Sequence, residues 1–163
     1  MAINRLLSPA KALRTLRKTP ALLDALLRDV TKEDAEALRD GPDGWSVLFI
    51  ACHLRDFEAI YRSRIELMLE KDAPTFTLTD NDELAERNAY AAQDLRAVIA
   101  ETRAGRESLI ARLAGLSDEQ WLRAGLHPEQ GPTTVLDAAI NAGLHDIDHA
   151  EQILRCLAPA ADR

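Results

Sequence analysis

The run Ser46-Val-Leu-Phe-Ile-Ala-Cys-His-Leu-Arg-Asp-Phe-Glu-Ala-Ile-Tyr-Arg-Ser-Arg-Ile-Glu-Leu-Met-Leu-Glu70 decides the fold. On a 3.6-residue period Phe49, Ile50, Phe57 and Ile60 share one apolar face, while Arg55, Glu58, Arg62 and Glu66 lie opposite. Ser46 supplies an N-cap, because its hydroxyl can accept from a backbone amide that the first turn leaves unpaired. A helix of this kind needs partners to cover its apolar face.

Working outward, the partners carry the same period. A first helix spans about Pro9 to Asp29, with Leu13, Leu16, Leu23, Leu26 and Leu27 at helical spacing. Pro20 is expected to kink or restart it, with Thr19 capping the restart. Thr31-Lys-Glu-Asp34 opens a short capped helix, and Asp40-Gly-Pro-Asp-Gly44 is a break. After an extended connector from Asp72 to Asp80, a short helix is expected over Asn81 to Ala92 and a long one over Asp94 to Leu116. Ser117-Asp-Glu-Gln120 reads as a capping box opening a turn around Trp121, followed by a Gly/Pro loop from Gly125 to Pro132 and a Thr-capped helix to about Leu157. Ala and Leu are abundant and runs of β-branched residues few, so the expected class is all-α, a four-helix bundle. With the residues that flank it, an extended connection of about 12 residues reaches at most ~40 Å, comparable with the ~37 Å of a 25-residue helix. Both a simple succession of hairpins and a bundle with a long crossover between its second and third long helices fit that length.

The chain has 163 residues, the size of one domain with a continuous core. Its formal net charge of -7, with no basic cluster, argues against a nucleic-acid surface. Two cysteines, Cys52 and Cys156, make no disulfide framework. The first residues lack the apolar run of a secretion signal, and the uncharged run from Trp45 to His53 falls far short of the roughly 20 residues of a membrane span. The expectation is a soluble cytoplasmic protein with neither membrane nor nucleic-acid partner.

Three histidines carry the chemistry. His145 and His149 are four apart, so their Cβ atoms lie about 6 Å apart on one helical face. His53 falls on the apolar face of the Ser46–Glu70 helix. If those helices pack side by side, three imidazoles converge on one divalent ion and leave positions open, the pattern of a catalytic site and not of a closed structural one. Each histidine also has a plainer reading. A core histidine bonded to backbone accounts for His53, and a solvated stripe accounts for Asn141, His145, His149 and Gln152, with the apolar face of that helix read as Leu136, Ala139, Ile140, Ile147, Ala150, Leu154 and Leu157. Asp56, one turn from His53, and Asp146 and Asp148, which lie between the histidines of the pair, are candidates to orient the imidazoles or to act as acid or base, with a solvent-facing position the plainer reading of the latter two. His127 is read as a loop histidine making backbone contacts, Trp45 and Trp121 as core plugs, and neither cysteine as a nucleophile.

Gly44-Trp-Ser46 leading into Cys52-His-Leu-Arg-Asp-Phe57, and Leu126-His-Pro-Glu-Gln-Gly-Pro-Thr133 leading into Leu144-His-Asp-Ile-Asp-His-Ala-Glu-Gln-Ile153, together resemble the DinB-like family over nearly the whole chain. The resemblance implies an up-down-down-up bundle, frequent homodimers, and His53, His145 and His149 as ligands of a divalent metal, commonly zinc or nickel. It further implies a metal-dependent hydrolase or a thiol S-transferase acting on a small molecule with a low-molecular-weight thiol, in a family that includes damage-associated proteins. The alternative is a metal-binding or helical interaction protein without turnover. Membership of a superfamily does not by itself transmit reaction or substrate.

Overall fold

A computed structural model describes residues 7–158. Its long elements are α1 (Pro9–Leu27), α3 (Val47–Glu70), α5 (Leu95–Ala114) and α7 (Val135–Leu157), interspersed with α2 (Lys32–Ala37), α4 (Asn81–Arg87), a 3-10 turn (Tyr90–Ala92) and α6 (Asp118–Trp121). Each long helix starts where the sequence offers a cap. Ser8, Ser46, Asp94 and Thr134 accept from Lys11, Phe49, Ala97 and Asp137 amides, and Thr134 with Asp137 and Ser117 with Gln120 form reciprocal capping boxes.

Pro20 does not restart α1, which is one element with the proline inside it. Proline has no N–H for the carbonyl of residue 16, and Arg106 Nη1 donates to that carbonyl instead, at 3.3 Å. Thr19 is therefore no cap. Its hydroxyl donates to Asp146 and accepts from Arg106.

Side-chain contacts fix how the helices run. Thr15 meets Gly143 and Thr19 meets Asp146, numbers that rise together, as they do when α1 and α7 point the same way. The pairs Arg55 with Glu101, Glu58 with Arg106 and Glu66 with Arg112 do the same for α3 and α5. Between α3 and α7 the order reverses, His53 against His145 and Tyr61 against Asn141, as it does between α1 and α5, Thr19 against Arg106 and Asp24 against Arg103.

A two-stranded sheet stands where the sequence suggests only a loop. β1 (Ala124–His127) pairs antiparallel with β2 (Gly131–Thr134), from Ala124 opposite Thr134 to His127 opposite Gly131. Neither strand has the alternation of a half-buried strand, so periodicity could not announce it; backbone pairing makes it. The hairpin also anchors the α3 to α5 connector, because Phe76 N–H donates to the Leu126 carbonyl at 2.9 Å and Leu126 N–H to the Pro74 carbonyl at 2.8 Å. Gly125 lets the connector approach, since a Cβ there would lie 2.4 Å from the Phe76 ring.

The core is in two parts. One holds Leu23, Leu27, Ile50, Leu54, Val98 and Ile153, the other Leu16, Ile65, Met68, Leu109, Leu113 and Val135. Between them lies a polar layer to which each long helix gives one residue: Thr19, Glu58, Arg106 and Asp146, none more than 4 % exposed. Glu58, which the wheel places on a solvated face, belongs to this layer. Among the described residues no helix is long and apolar enough to cross a membrane.

Candidate metal centre

α3 and α7 lie against each other in opposite directions, so His53 faces the pair on α7. His53 Nε2 is 3.0 Å from His145 Nε2, and His145 Nε2 is 3.2 Å from His149 Nε2. Three nitrogens at zinc–nitrogen bond lengths in a tetrahedron stand about 3.3 Å apart, close to these spacings. Among the described residues these three side chains are the one group of three or more histidine, cysteine or acidic residues whose candidate ligand atoms all lie within 4.8 Å of one another.

Charge state and tautomer fit the same use. Burial first, then the neighbouring imidazoles, lowers the His53 pKa to about 3; burial, His149 and Arg106 lower that of His145 to about 3. Burial also lowers His149, opposed by its hydrogen bond to Gln152 and by Asp148 and Asp146. All three rings are neutral at pH 7, the form that binds metal. His149 Nδ1–H donates to Gln152 Oε1 at 2.8 Å, leaving a bare lone pair at Nε2.

Aromatic rings wall the cluster. Trp45 lies with its centroid 4.9 Å from His53 and 6.0 Å from His149, stacked on the latter; Phe57 lies 4.3 Å from His53 and 4.9 Å from His145. Tyr61 meets His145 edge-on at 5.8 Å, accepts from Asn141 Nδ2 at 3.2 Å, and keeps its proton, burial pushing its pKa up to about 12. Trp45 is thus a wall of the histidine cleft and not only a plug, and its place just before a capping serine gave no sign of this. Trp121 is a core plug, in the second apolar cluster.

The candidate carboxylates divide. Asp56 does not orient His53: its Oδ1 accepts from Arg55 Nε at 2.8 Å and its Oδ2 from Asn88 Nδ2 and Tyr90 Oη at 2.7 Å each. Its position on α3 turns it toward the segment after α4, which it pins, and the buried His53 Nδ1 has no hydrogen-bond partner among the described residues. Asp148 is exposed at the rim, near enough to act electrostatically on His149 and Tyr61. His127 accepts at Nδ1 from the Glu129 and Gln130 amides, both at 3.3 Å, in the hairpin turn. The Cys52 thiol is pushed up to about 11 by burial, which keeps it un-nucleophilic.

The face of α7 differs from the expected one. Ile147 and Leu154 are 44 % and 52 % exposed, while Ala138, Ala139, Ala142, Gly143, Asp146 and Ala150 are buried. Small residues allow close helix packing, so the buried stripe is not the one with the largest side chains. Asp146, a candidate to orient the imidazoles, instead belongs to an ionic layer behind the site that the sequence reading did not anticipate, its Oδ2 accepting from Thr19 and Arg106. Arg106 pairs with both Glu58 oxygens through Nε, at 3.0 and 2.9 Å, and with Asp146 Oδ2 through Nη1 at 2.7 Å. Its signal was legible: Arg106 interrupts the apolar series Val98, Leu109, Leu113, and Asp146 the series Ala139, Ala142, Ala150, Ile153.

A model of the DinB superfamily matches residues 15–153. No curated protein matches the sequence. Among solved structures, YfiT from Bacillus subtilis, described as a probable metal-dependent hydrolase with an unusual four-helix bundle topology, aligns with a TM-score of 0.85 and 22 % identity over 95 % of this chain and 88 % of that one. The mycothiol-dependent maleylpyruvate isomerase aligns with a TM-score of 0.76 and 12 % identity over 94 % of this chain and 63 % of that one, so this chain spans under two thirds of it. TT2238, a four-helix bundle protein, gives 0.60 and 22 % over 88 % and 96 %. At these identities the likeness is one of fold.

Proposed function

The chain belongs to the DinB superfamily, and from that premise we propose that it holds a divalent metal, zinc or nickel, on His53, His145 and His149 and acts on a small molecule as a metal-dependent hydrolase or thiol S-transferase. The observation that carries this reading is the meeting of three neutral Nε2 atoms at 3.0 and 3.2 Å in a half-open aromatic cleft. A divalent ion held by His53, His145 and His149 would supply Lewis acidity when bound. The chain's own residues supply the rest. Gln152 holds the His149 tautomer, Trp45 and Phe57 exclude water from the imidazoles, and Tyr61, set by Asn141, offers a hydroxyl at the cleft wall. The same reading takes the chain as one domain with its long helices in up-down-down-up order, a cytoplasmic homodimer, and Asp148 as a rim carboxylate available for proton transfer.

A second reading is metal binding without turnover. It is favoured by the engagement of Asp56 elsewhere, which leaves no carboxylate among the described residues hydrogen-bonded to a cluster histidine.

Elemental analysis of protein purified without a metal-affinity tag decides the centre: one equivalent of metal is expected, lost in His53→Ala and in His149→Ala while the helical circular-dichroism signal persists. Metal-free wild-type protein, or metal retained by both variants, overturns it. Turnover of a model electrophile with a low-molecular-weight thiol, abolished by chelation, separates the enzyme from the second reading.

A further inference from the structure

Arg64 is half-buried on α3, yet it engages no carboxylate among the described residues. Arg55, Arg106, Arg112, Arg123 and Arg155 all pair with acids. Among the described residues the one hydrogen bond of Arg64 runs from Nη2 to the Thr77 carbonyl at 3.2 Å, and its guanidinium lies over the Phe76 ring, 5.5 Å from the centroid. The connector therefore holds this cation in place by one edge and one face, leaving the Nε and Nη1 edge uncommitted. A cleft of about 240 Å³ opens beside it, lined by Ile60, Ser63, Leu67, Thr75, Thr77 and Thr79.

The cleft lies along the line that leads to the histidines. Residues 53, 57, 60, 64 and 67 are spaced by four, three, four and three, so they form one stripe of α3. Eleven residues separate His53 from Arg64, a rise of about 16 Å. Phe57 and Ile60, both half-buried, lie between the two on this stripe. Tyr61, edge-on to His145, flanks it.

We propose that Arg64 is the carboxylate subsite of an elongated ligand whose other end reaches the histidine cluster. The inference rests on the metal reading for that other end. A fixed guanidinium edge matches the two oxygens of a carboxylate in plane, and a single positive charge balances one negative charge and not two. The ligand class is a small molecule with a metal-seeking head, an apolar or neutral middle of about 10 to 16 Å, and a terminal carboxylate.

Calorimetric titration of zinc-supplemented, desalted full-length protein with mercaptoundecanoic acid and with mercaptoundecanol tests it, since the two probes share head and length and differ only in the far end. The acid is expected to bind about tenfold tighter or more, the size of a charge-assisted hydrogen bond. The short mercaptopropionic acid should gain nothing from its carboxylate. Arg64→Leu removes the preference by weakening the acid alone, and Arg64→Gln, which keeps a donor for the Thr77 carbonyl, does the same if the leucine variant folds poorly. Equal binding of acid and alcohol, binding of neither, or a preference surviving both substitutions overturns the subsite. Zinc content, measured on the same samples, reads the metal centre separately: zinc without the preference sinks the subsite alone, and the preference without zinc sinks the metal reading alone.

Discussion

His53 buries one nitrogen without a partner among the described residues and brings the other to two further imidazoles. Both features burden the metal-free protein in acid. Folded pKa values of about 3 for His53 and His145, against an ordinary 6.5, mean that between those limits the unfolded chain takes up protons the folded chain refuses. This contribution is complete above about pH 6.5 and is lost as pH falls through the window. Urea unfolding of the metal-free protein at stepped pH should give a midpoint that falls below about pH 6.5, with a shallower fall in His145→Gln; a flat profile across the window in the wild type would contradict the burial described here. The types and spacing of these histidines were legible, because four-residue spacing places two rings on one face whatever surrounds them. The role of Asp56 was not, since one turn along a helix says how near two side chains begin and not which way each leans.

Along α7, the interior stripe is the small one. Gly143 sits where α1 comes closest: a Cβ there would lie 2.7 Å from Thr15 Cγ2, and the Thr15 hydroxyl donates to the Lys11 carbonyl at 3.1 Å, which fixes that methyl toward α7. Alanine favours a helix interior over glycine, yet Gly143→Ala is expected to cost about 1 to 3 kcal/mol through overpacking. Thr15→Ser, which deletes the methyl, should recover most of it. Midpoints of thermal or urea unfolding for the two single variants and the double variant check this, and an additive pair would refute the contact. Sequence periodicity ranked Ile147 and Leu154 as core because it weighs side-chain size, whereas close helix approach rewards its absence. The hairpin was invisible for a related reason, its strands being specified by backbone pairing with each other and with the connector.

Across the whole molecule, the two apolar clusters are joined by the Thr19, Glu58, Arg106 and Asp146 layer, one residue from each long helix. Arg106 is shared by two buried carboxylates, so removing it strands both. Arg106→Met is expected to cost about 3 to 5 kcal/mol, while replacing Glu58, Arg106 and Asp146 together by apolar residues should recover most of that stability. Equilibrium unfolding of the two variants decides it; a mild single variant, or a triple variant no better than the single, would show that the layer is not the ionic unit described. Asp146 adjoins His145, so the layer also fixes the turn of α7 that presents the histidine pair.

What the sequence determined alone was whatever a helical period and local caps dictate: four long amphipathic helices, their starts, and a pair of histidines on one face. Tertiary structure decided which faces meet. Only packing could bring His53 to His145, turn Asp56 away, bury Glu58 against Arg106 and aim Trp45 at the imidazoles, because each depends on contacts between residues 30 or more apart, to which a local period is blind.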